Sequence, residues 1–334
     1  MHHTRMKYLA YFVLALCVGF HGYLSVFAAP PPNARFDLSP TALFALRFSF
    51  LPLSWAAWWF GLRSVIALHE FADKFHTPNP SFAKGFHYIG YGLLALTINL
   101  VLGAVLGGMR NVFGLNSVTS QWITVAVNYL YVVFPLIGLS FVFAGARLVT
   151  RSQATLRPIL SRFRDDLIIA LSFSTIVTIL YGLLVFTNPH RQVSLDLAIR
   201  PTYFISDSLI FFTLVIPSFA VWLVGMLAAF EIDRFAPEAL TPKQQLARRR
   251  LVNGIWAVIF SSISVQVILA LGGARLLSFG LAFILYAVYF VILFLAFAYY
   301  LVMRGARGFL EGGGDTGGSF ADVTRDGRGV VAVK

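Results

Sequence analysis

The sequence predicts an all-α fold, a polytopic bundle of transmembrane helices. Of the 334 residues, 58% are hydrophobic and only 12% are charged, against roughly 45–50% and about 25% in soluble domains. The mean hydropathy is +0.77. Alternating strand patterns are absent, and open sheets would leave amides unpaired in lipid. A soluble enzyme is therefore excluded, and so is a secreted disulfide scaffold, since Cys17 is the single cysteine.

Eight apolar runs are long enough to cross about 30 Å of hydrocarbon as helices of roughly 20 residues. They are residues 8–29, 41–62, 85–108, 121–146, 167–187, 203–230, 251–271 and 277–303. Prolines punctuate the segments between several of these runs, as expected of connecting loops. The sequence therefore assigns the helical bundle to residues 41–303, preceded by one further apolar run.

The first run, in residues 1–29, permits two interpretations. Residues 1–7 form a short basic segment, residues 8–20 form an apolar core, and Val26-Phe27-Ala28 approximates a signal-peptide cleavage motif. Cleavage near Ala28 would leave seven helices, whereas retention gives eight. Residues 1–29 are thus either a signal peptide or the first transmembrane helix.

Lysine and arginine are distributed unequally between the two sides of the predicted bundle. One side holds 20 of the 26, the opposite side holds five, and Arg47 falls within a span. The positive-inside rule places the richer side in the cytoplasm. We therefore predict a multi-pass protein of the cytoplasmic (inner) membrane with a cytoplasmic C-terminus. The net charge of +12 would contact anionic lipid headgroups, and no basic stretch has the interleaved aromatics of a nucleic-acid surface.

Residues 304–334 are rich in glycine, including Gly312-Gly313-Gly314 and Gly317-Gly318. Their few apolar residues follow no helical spacing. Because such a composition buries too little apolar surface to offset the ordering entropy, we predict a disordered cytoplasmic tail.

Three prolines within the spans are evenly spaced. Pro52, Pro135 and Pro217 lie 83 and 82 residues apart, each followed by an aromatic residue five or six positions later. This spacing is typical of a parallel repeat of helical hairpins, an arrangement found in some transporters. Helices of about 25 residues joined by loops of about 16 would produce the same period without duplication.

The sequence indicates no cofactor and no metal centre. None of the five lysines lies within a mature span, so retinal could not form a Schiff base. His69, Asp73 and His76 would share one helical face near His87 and could hold a divalent ion, but a solvated helix end explains them better. The adjacent Asp165-Asp166 can be neutralised by nearby arginines. No catalytic motif is complete.

Five polar residues are predicted to lie in the outer half of the bundle, where an unpaired polar side chain costs free energy. They are Arg47, Asn99, Asn128, Asp207 and Gln266. We expect them to face the interior, either as a ligand-binding cluster or as interhelical hydrogen bonds. Arg47 and Asp207 lie at similar depths, about 9 and 6 Å, so they either form an ion pair or sit independently at the interface.

Several short stretches also match a known pattern. They are Leu46-Arg47 to Leu51-Pro52, Phe186-Thr187-Asn188-Pro189, and Asp207 through Ile216-Pro217 to Trp222 and Ala228-Ala229. With these stretches, over about residues 41–308, the chain resembles a family of uncharacterised multispanning membrane proteins from bacteria with reduced genomes. The resemblance implies a helical membrane fold and no known activity.

These features predict an integral membrane protein without an evident catalytic site. It would be either a small-solute carrier, with the outer-half polar residues lining a water-accessible cavity, or a subunit of a larger membrane assembly. The second interpretation predicts a dry bundle that presents Trp55, Trp58, Trp59 and the aromatic last span to other membrane subunits. The alternative is a membrane enzyme acting on lipid headgroups, with phosphate held by the cytoplasmic arginines.

Overall fold

The computed structural model describes residues 2–27, 40–74, 79–112, 118–153, 157–186, 215–235, 241–273 and 293–312. These residues form eight helices and no strand. They are α1 (His2–Phe27), α2 (Pro40–Lys74), α3 (Pro80–Val112), α4 (Val118–Gln153), α5 (Arg157–Phe186), α6 (Ile216–Asp233), α7 (Pro242–Gly273) and α8 (Leu295–Gly312). The predicted all-α fold is confirmed.

Five segments of these helices are long and apolar enough to cross a membrane, counting only the described residues. They are Lys7–Phe27, Pro80–Leu106, Val132–Ser152, Phe163–Leu183 and Ile216–Asp233, from α1, α3, α4, α5 and α6. The protein is therefore a membrane-embedded helical bundle. Each of the eight apolar runs found in the sequence overlaps one of the eight helices.

The helices continue past their apolar runs at the end where lysine and arginine concentrate. α2 continues from residue 62 to Lys74, and α5 begins at Arg157, ten residues before its predicted span. Contacts join these extensions: Lys7 of α1 pairs with Glu70 of α2. We call this layer the basic end. It comprises residues 2–7, 63–74, 79–84, 147–153, 157–166, 231–235, 241–250 and 304–312.

α8 corrects the predicted boundary of the tail. It ends at Gly312, so residues 304–312 are helical rather than disordered. Phe309 is fully buried, and a Cβ on Gly308 would lie 2.8 Å from the Cβ of Ala247 on α7. The glycines that made this stretch resemble a linker are contact residues between two helices. Residues 313–334 of the predicted tail lie outside the described residues.

Six of the helices form a closed ring. α2 packs on α3, α3 on α4, α4 on α6, α6 on α7, α7 on α8, and α8 on α2. α1 lies outside the ring against α2 and α3, and α5 lies outside it against α6 and α7. Large side chains fill the interior, since Trp58, Trp222 and Tyr299 are at most 2% exposed.

The bundle of eight described helices consists of two four-helix halves with the same packing. If α1, α2, α3 and α4 are exchanged for α5, α6, α7 and α8, every extensively packed pair of described helices maps onto another such pair. Both halves begin at the basic end. They are therefore parallel and related by an approximate twofold axis along the bundle, which is the geometry of a parallel repeat.

Buried residues of α2 correspond to buried residues of α6 and of the turn that follows it, at a spacing of 164 residues. Ser54, Trp58, Gly61 and Phe71 match Ser218, Trp222, Gly225 and Phe235, and all eight are buried. The contacts correspond as well. A Cβ on Gly61 would meet Thr97 and Tyr299, whereas one on Gly225 would meet their counterparts Ile259 and Leu139.

The contact of α3 with α4 recurs between α7 and α8. A Cβ on Gly145 would lie 2.8 Å from the backbone nitrogen of Ile89, and one on Gly305 would lie 2.8 Å from that of Leu251. Both glycines begin a Gly-Ala-Arg sequence, at 145–147 and 305–307. Such small residues let helix backbones approach closely in a membrane, where packing drives helix association.

The first turns of α3 and α7 are capped in the same way. Asn79 Oδ1 accepts a hydrogen bond from the backbone N–H of Phe82 at 3.0 Å, and Thr241 Oγ1 accepts one from that of Gln244 at 3.3 Å. In each case a proline follows the cap as the first helical residue, where its missing N–H costs nothing.

These correspondences revise the predicted period of the repeat. Pro52 and Pro217 lie within one position of each other in equivalent helices, but Pro135 belongs to α4, whose counterpart is α8. The described parts of α4 and α5 do not pack extensively, although the hairpin period would pair them. The repeating unit is four helices, or two of the predicted hairpins.

Alanine at Gly145 or at Gly305 should lower the melting temperature in mild detergent by similar amounts. Each new Cβ would fall 2.8 Å from a backbone nitrogen of the facing helix, and overpacking of this kind costs about 1–3 kcal/mol. Gly182→Ala is the control, because a Cβ there would meet nothing within 4 Å. A large effect at one glycine and none at the other would count against equivalent halves.

Candidate functional site

Asn99 is the only predicted site residue whose side chain is described. It lies on α3, is 5% exposed, and its Oδ1 has no hydrogen-bond partner within the described part of the chain. Arg47, Asn128 and Gln266 lie on α2, α4 and α7, with their side chains outside the described set. Asp207 lies outside the described residues, so its pairing with Arg47 stays a prediction.

The packing of α4 on α3 fixes the level of Asn128 along the bundle. Gly92 faces Gly138, and seven residues away Gly85 faces Gly145. Continuing this antiparallel register sets Asn128 opposite residue 102, three residues or about 5 Å beyond Asn99. Asn99 and Asn128 therefore lie at nearly one level.

The packing of α2 on α3 sets Arg47 at a different level. Gly61 lies against Thr97, and the ring of Phe71 packs on that of Phe86 with centroids 4.8 Å apart. The same register sets Arg47 opposite about residue 111 of α3. That position lies about 18 Å beyond Asn99 along α3. The structure thus sets two of the predicted residues at nearly one level along the bundle and the third at a different level.

At the basic end of the second half, a buried ion network joins α4, α5 and α6. Arg234 pairs with Asp166 of α5, and its Nη1 lies 2.8 Å from Oε1 of Glu231. Glu231 is 2% exposed, and its Oε2 has no hydrogen-bond partner among the described residues. The guanidinium groups of Arg147 and Arg234 lie over the ring of Phe163, at 4.6 and 5.7 Å from its centroid.

The first half carries the corresponding ion pair with opposite polarity. Glu70 of α2 is the counterpart of Arg234 at the same 164-residue spacing, and it pairs with Lys7 at the start of α1. Asp166 lies at the start of the apolar part of α5, one position before the residue that corresponds to Lys7 at the 160-residue spacing of α1 and α5. One ion pair therefore joins each outer helix to its own half.

The basic end of the first half also contains a cavity of about 430 Å³ between α1, α2 and α8. Its charged lining residues are Lys7, Arg63, Glu70, Arg307 and Glu311. Arg307 Nη2 lies 3.3 Å from Glu311 Oε1. The cavity is therefore a mixed-charge pocket at the level where the helices leave their apolar runs.

Two histidines meet where α2 packs on α3. The Nδ1 atoms of His69 and His87 lie 2.7 Å apart, so one ring must donate the proton between them, and His87 Nε2 lies 3.4 Å from Asp73 Oδ1. His76 lies outside the described residues. Within the described ranges, no group of three or more His, Cys, Asp or Glu side chains could hold a metal ion.

Inspection of the sequence missed Glu231 and Arg234. They lie just past the predicted end of the sixth span at residue 230, where charged residues are ordinary helix-end features. Asp166 was assigned to nearby arginines but pairs with Arg234, 68 residues away, while Asp165 Oδ1 lies 3.6 Å from Nε of Arg164. The 164-residue spacing between Glu70 and Arg234 is the sequence signal that could have linked the ion pair of the first half to the ion network of the second.

Comparison with known proteins finds no matching family model, no similar characterised protein and no similar solved structure. The resemblance to the membrane family of reduced-genome bacteria stays a prediction. Function is therefore inferred from the geometry of the chain itself.

Proposed function

We propose that the protein is a small-solute carrier of the cytoplasmic membrane, built from two parallel four-helix halves. The observation that supports this function is the equivalence of α1–α4 and α5–α8. Parallel repeats occur in secondary transporters, where the substrate binds between the repeats and one repeat rocks against the other. The excess of lysine and arginine orients the basic end toward the cytoplasm.

The aromatic contacts between the halves are consistent with a gate at the basic end. Phe71 and Phe86 of the first half meet Phe235 and Phe309 of the second, with ring centroids 5.5–5.9 Å apart in three of these pairs. All four side chains are at most 1% exposed. We call these four residues the aromatic gate. In the described conformation they would separate a solute site between the halves from the cytoplasm.

Asn99 is the described residue best suited to meet a solute above this gate. A buried amide oxygen without a partner costs free energy, which a bound polar solute or water would recover. Its counterpart at a spacing of 162 residues is Ser261, which is also polar and 1% exposed. Both halves thus carry a buried polar side chain at this position.

Thiol labelling tests the carrier. In a Cys17→Ser background, single cysteines at Asn99, Asn128 and Gln266 should react with a small water-soluble maleimide in membrane vesicles. Ala298→Cys, at a fully buried position in the contact of α7 with α8, should stay unreactive, and the exposed Ser81→Cys should react. Three unreactive thiols in protein that elutes as a single species in detergent would overturn the proposal.

A subunit of a membrane assembly is the second candidate. Trp59, Phe297 and Tyr300 on α2 and α8 are 40–55% exposed and could meet a neighbouring protein. Trp58, expected on the same surface, is instead buried in the ring. Unreactive thiols together with a partner that co-purifies at fixed stoichiometry would favour this function.

The alternative of an enzyme acting on lipid headgroups has less support. Arg248 donates to the backbone carbonyls of Asp233 and Phe235, each at 2.8 Å. Arg164 is exposed and paired with Asp165. These arginines stabilise helix ends and a surface pair, which leaves them less suited to hold a reacting phosphate.

A further inference from the structure

We propose that the cavity between α1, α2 and α8 binds the phosphate group of an anionic phospholipid. The inference begins from the correspondence of the two halves. At the 164-residue spacing of α2 and α6, Ala67 in the cavity wall is the counterpart of Glu231. At the 160-residue spacing of α4 and α8, Arg307 in the wall is the counterpart of Arg147.

The second half carries an anionic side chain at the place that corresponds to the cavity. There, the carboxylate of Glu231 lies against the guanidinium of Arg234, in a network that also contains Arg147. In the first half, Ala67 stands at the corresponding position and has no carboxylate. Its small methyl group lines the cavity and does not fill it. Glu70, the counterpart of Arg234, is itself paired with Lys7. A ligand with an anionic group would therefore meet Arg63 and Arg307 of the cavity wall rather than an equivalent of Arg234.

The charged residues of the cavity wall favour binding of a ligand group that carries one negative charge. Lys7 pairs with Glu70, and Arg307 pairs with Glu311, so these four charges balance. The fifth charged residue is Arg63. Its Nη1 donates to the neutral hydroxyl of Tyr11 at 2.8 Å, and its guanidinium lies 5.9 Å from the centre of the Trp59 ring. The wall therefore carries one net positive charge, and arginine binds phosphate oxygens through two parallel hydrogen bonds.

The position of the cavity favours a lipid as the source of the phosphate. Lys7 begins the membrane-crossing segment of α1, so the cavity lies at headgroup level. Below it, the side chains of Tyr8 and Phe12 on α1 are 71% and 61% exposed, and acyl chains could lie along them. Basic pockets between membrane helices on the cytoplasmic side are known to bind anionic headgroups.

Native mass spectrometry of the delipidated full-length protein, titrated with phosphatidylglycerol or phosphatidylcholine, tests the proposal. We expect one phosphatidylglycerol per chain, bound more tightly than phosphatidylcholine. Arg63→Gln should weaken this binding by about tenfold, since a charge-assisted pair would be lost. Ala67→Glu should abolish it, because the new carboxylate copies Glu231. Arg304→Gln is the control, an exposed cation of α8 outside the cavity wall.

Unchanged phosphatidylglycerol binding by folded Ala67→Glu protein would overturn the proposal. So would displacement of the lipid by inorganic phosphate, which would identify a free anion as the ligand. The melting temperature of each variant reports folding separately. If Arg63→Gln fails to fold, Ala67→Glu still decides, because Ala67 lines the cavity and its substitution keeps every cation of the wall in place. The thiol-labelling test of the carrier does not depend on any of these results.

Discussion

Replacing Arg234 by alanine should destabilise the protein by about 3–5 kcal/mol. Arg234 is the cation shared by Asp166 and Glu231, and the side chains of Arg234 and Glu231 are only 11% and 3% exposed. Its removal would leave two carboxylates close together with little water to solvate them. Thermal unfolding in mild detergent measures the loss. Arg164→Ala, which breaks an exposed pair, should change stability by less than about 1 kcal/mol.

Reversing the charges of this network tests whether it is equivalent to the Lys7–Glu70 pair of the first half. The triple variant Asp166→Lys, Glu231→Ala and Arg234→Glu gives the second half the residue types of Lys7, Ala67 and Glu70, with the lysine one position before the exact counterpart of Lys7. Because the first half forms its ion pair with that polarity, the triple variant should recover most of the stability that Arg234→Ala loses. A triple variant as unstable as the single one would count against corresponding sites.

Loss of α1 should cause the second large decrease in stability. We therefore expect the mature protein to retain this helix. α1 is the counterpart of α5 in the twofold arrangement, and Gly22 corresponds to Gly182 at a spacing of 160 residues. Polar contacts join it to α2: Lys7 pairs with Glu70, and Trp55 Nε1 donates to His21 Nδ1 at 3.3 Å. A signal peptide removed by a peptidase would have no need of such contacts.

Intact-mass measurement of the purified protein checks this expectation. The mass should include residues 1–28, with or without the initiating methionine. A chain shortened to begin at Ala29 should melt at a lower temperature than the full chain, since the first half would lose its outer helix. A mature protein that begins near Ala29 and is stable would show that the first helix is only a targeting segment.

The apolar runs predicted the helices because hydrocarbon demands about 20 apolar residues per span. They did not predict the basic end, whose helical extensions contact one another through polar and charged side chains, such as Lys7 with Glu70 and Arg234 with Asp166. Residues 304–312 illustrate the reason. Their glycines are typical of a linker in isolation, and only the facing residues Gln244 and Ala247 of α7 reveal them as packing positions.

The twofold relation escaped the sequence because the identical residues, such as Trp58 and Trp222, are few and scattered, while many equivalent positions differ in residue type. Thr97 corresponds to Ile259, Ala67 to Glu231, and the charges of one ion pair are reversed in the other half. The spacing also differs between helices, at 160, 162 or 164 residues, because the loops differ in length. Asn99 could be singled out as a polar residue within a span, whereas Glu231 and Arg234 required the packing of α4, α5 and α6.

A carrier of this architecture requires its two four-helix halves to move relative to each other. Pulsed electron paramagnetic resonance in lipid bilayers tests it, with spin labels on exposed residues of a Cys17→Ser protein. Lys84 on α3 and its counterpart Leu246 on α7 report the distance between the halves, and Lys84 with Arg151 on α4 reports the distance within one half. We expect two populations of distances for the first pair and one for the second. A single narrow distance for both pairs would mean that the bundle is one rigid body, and would contradict the carrier.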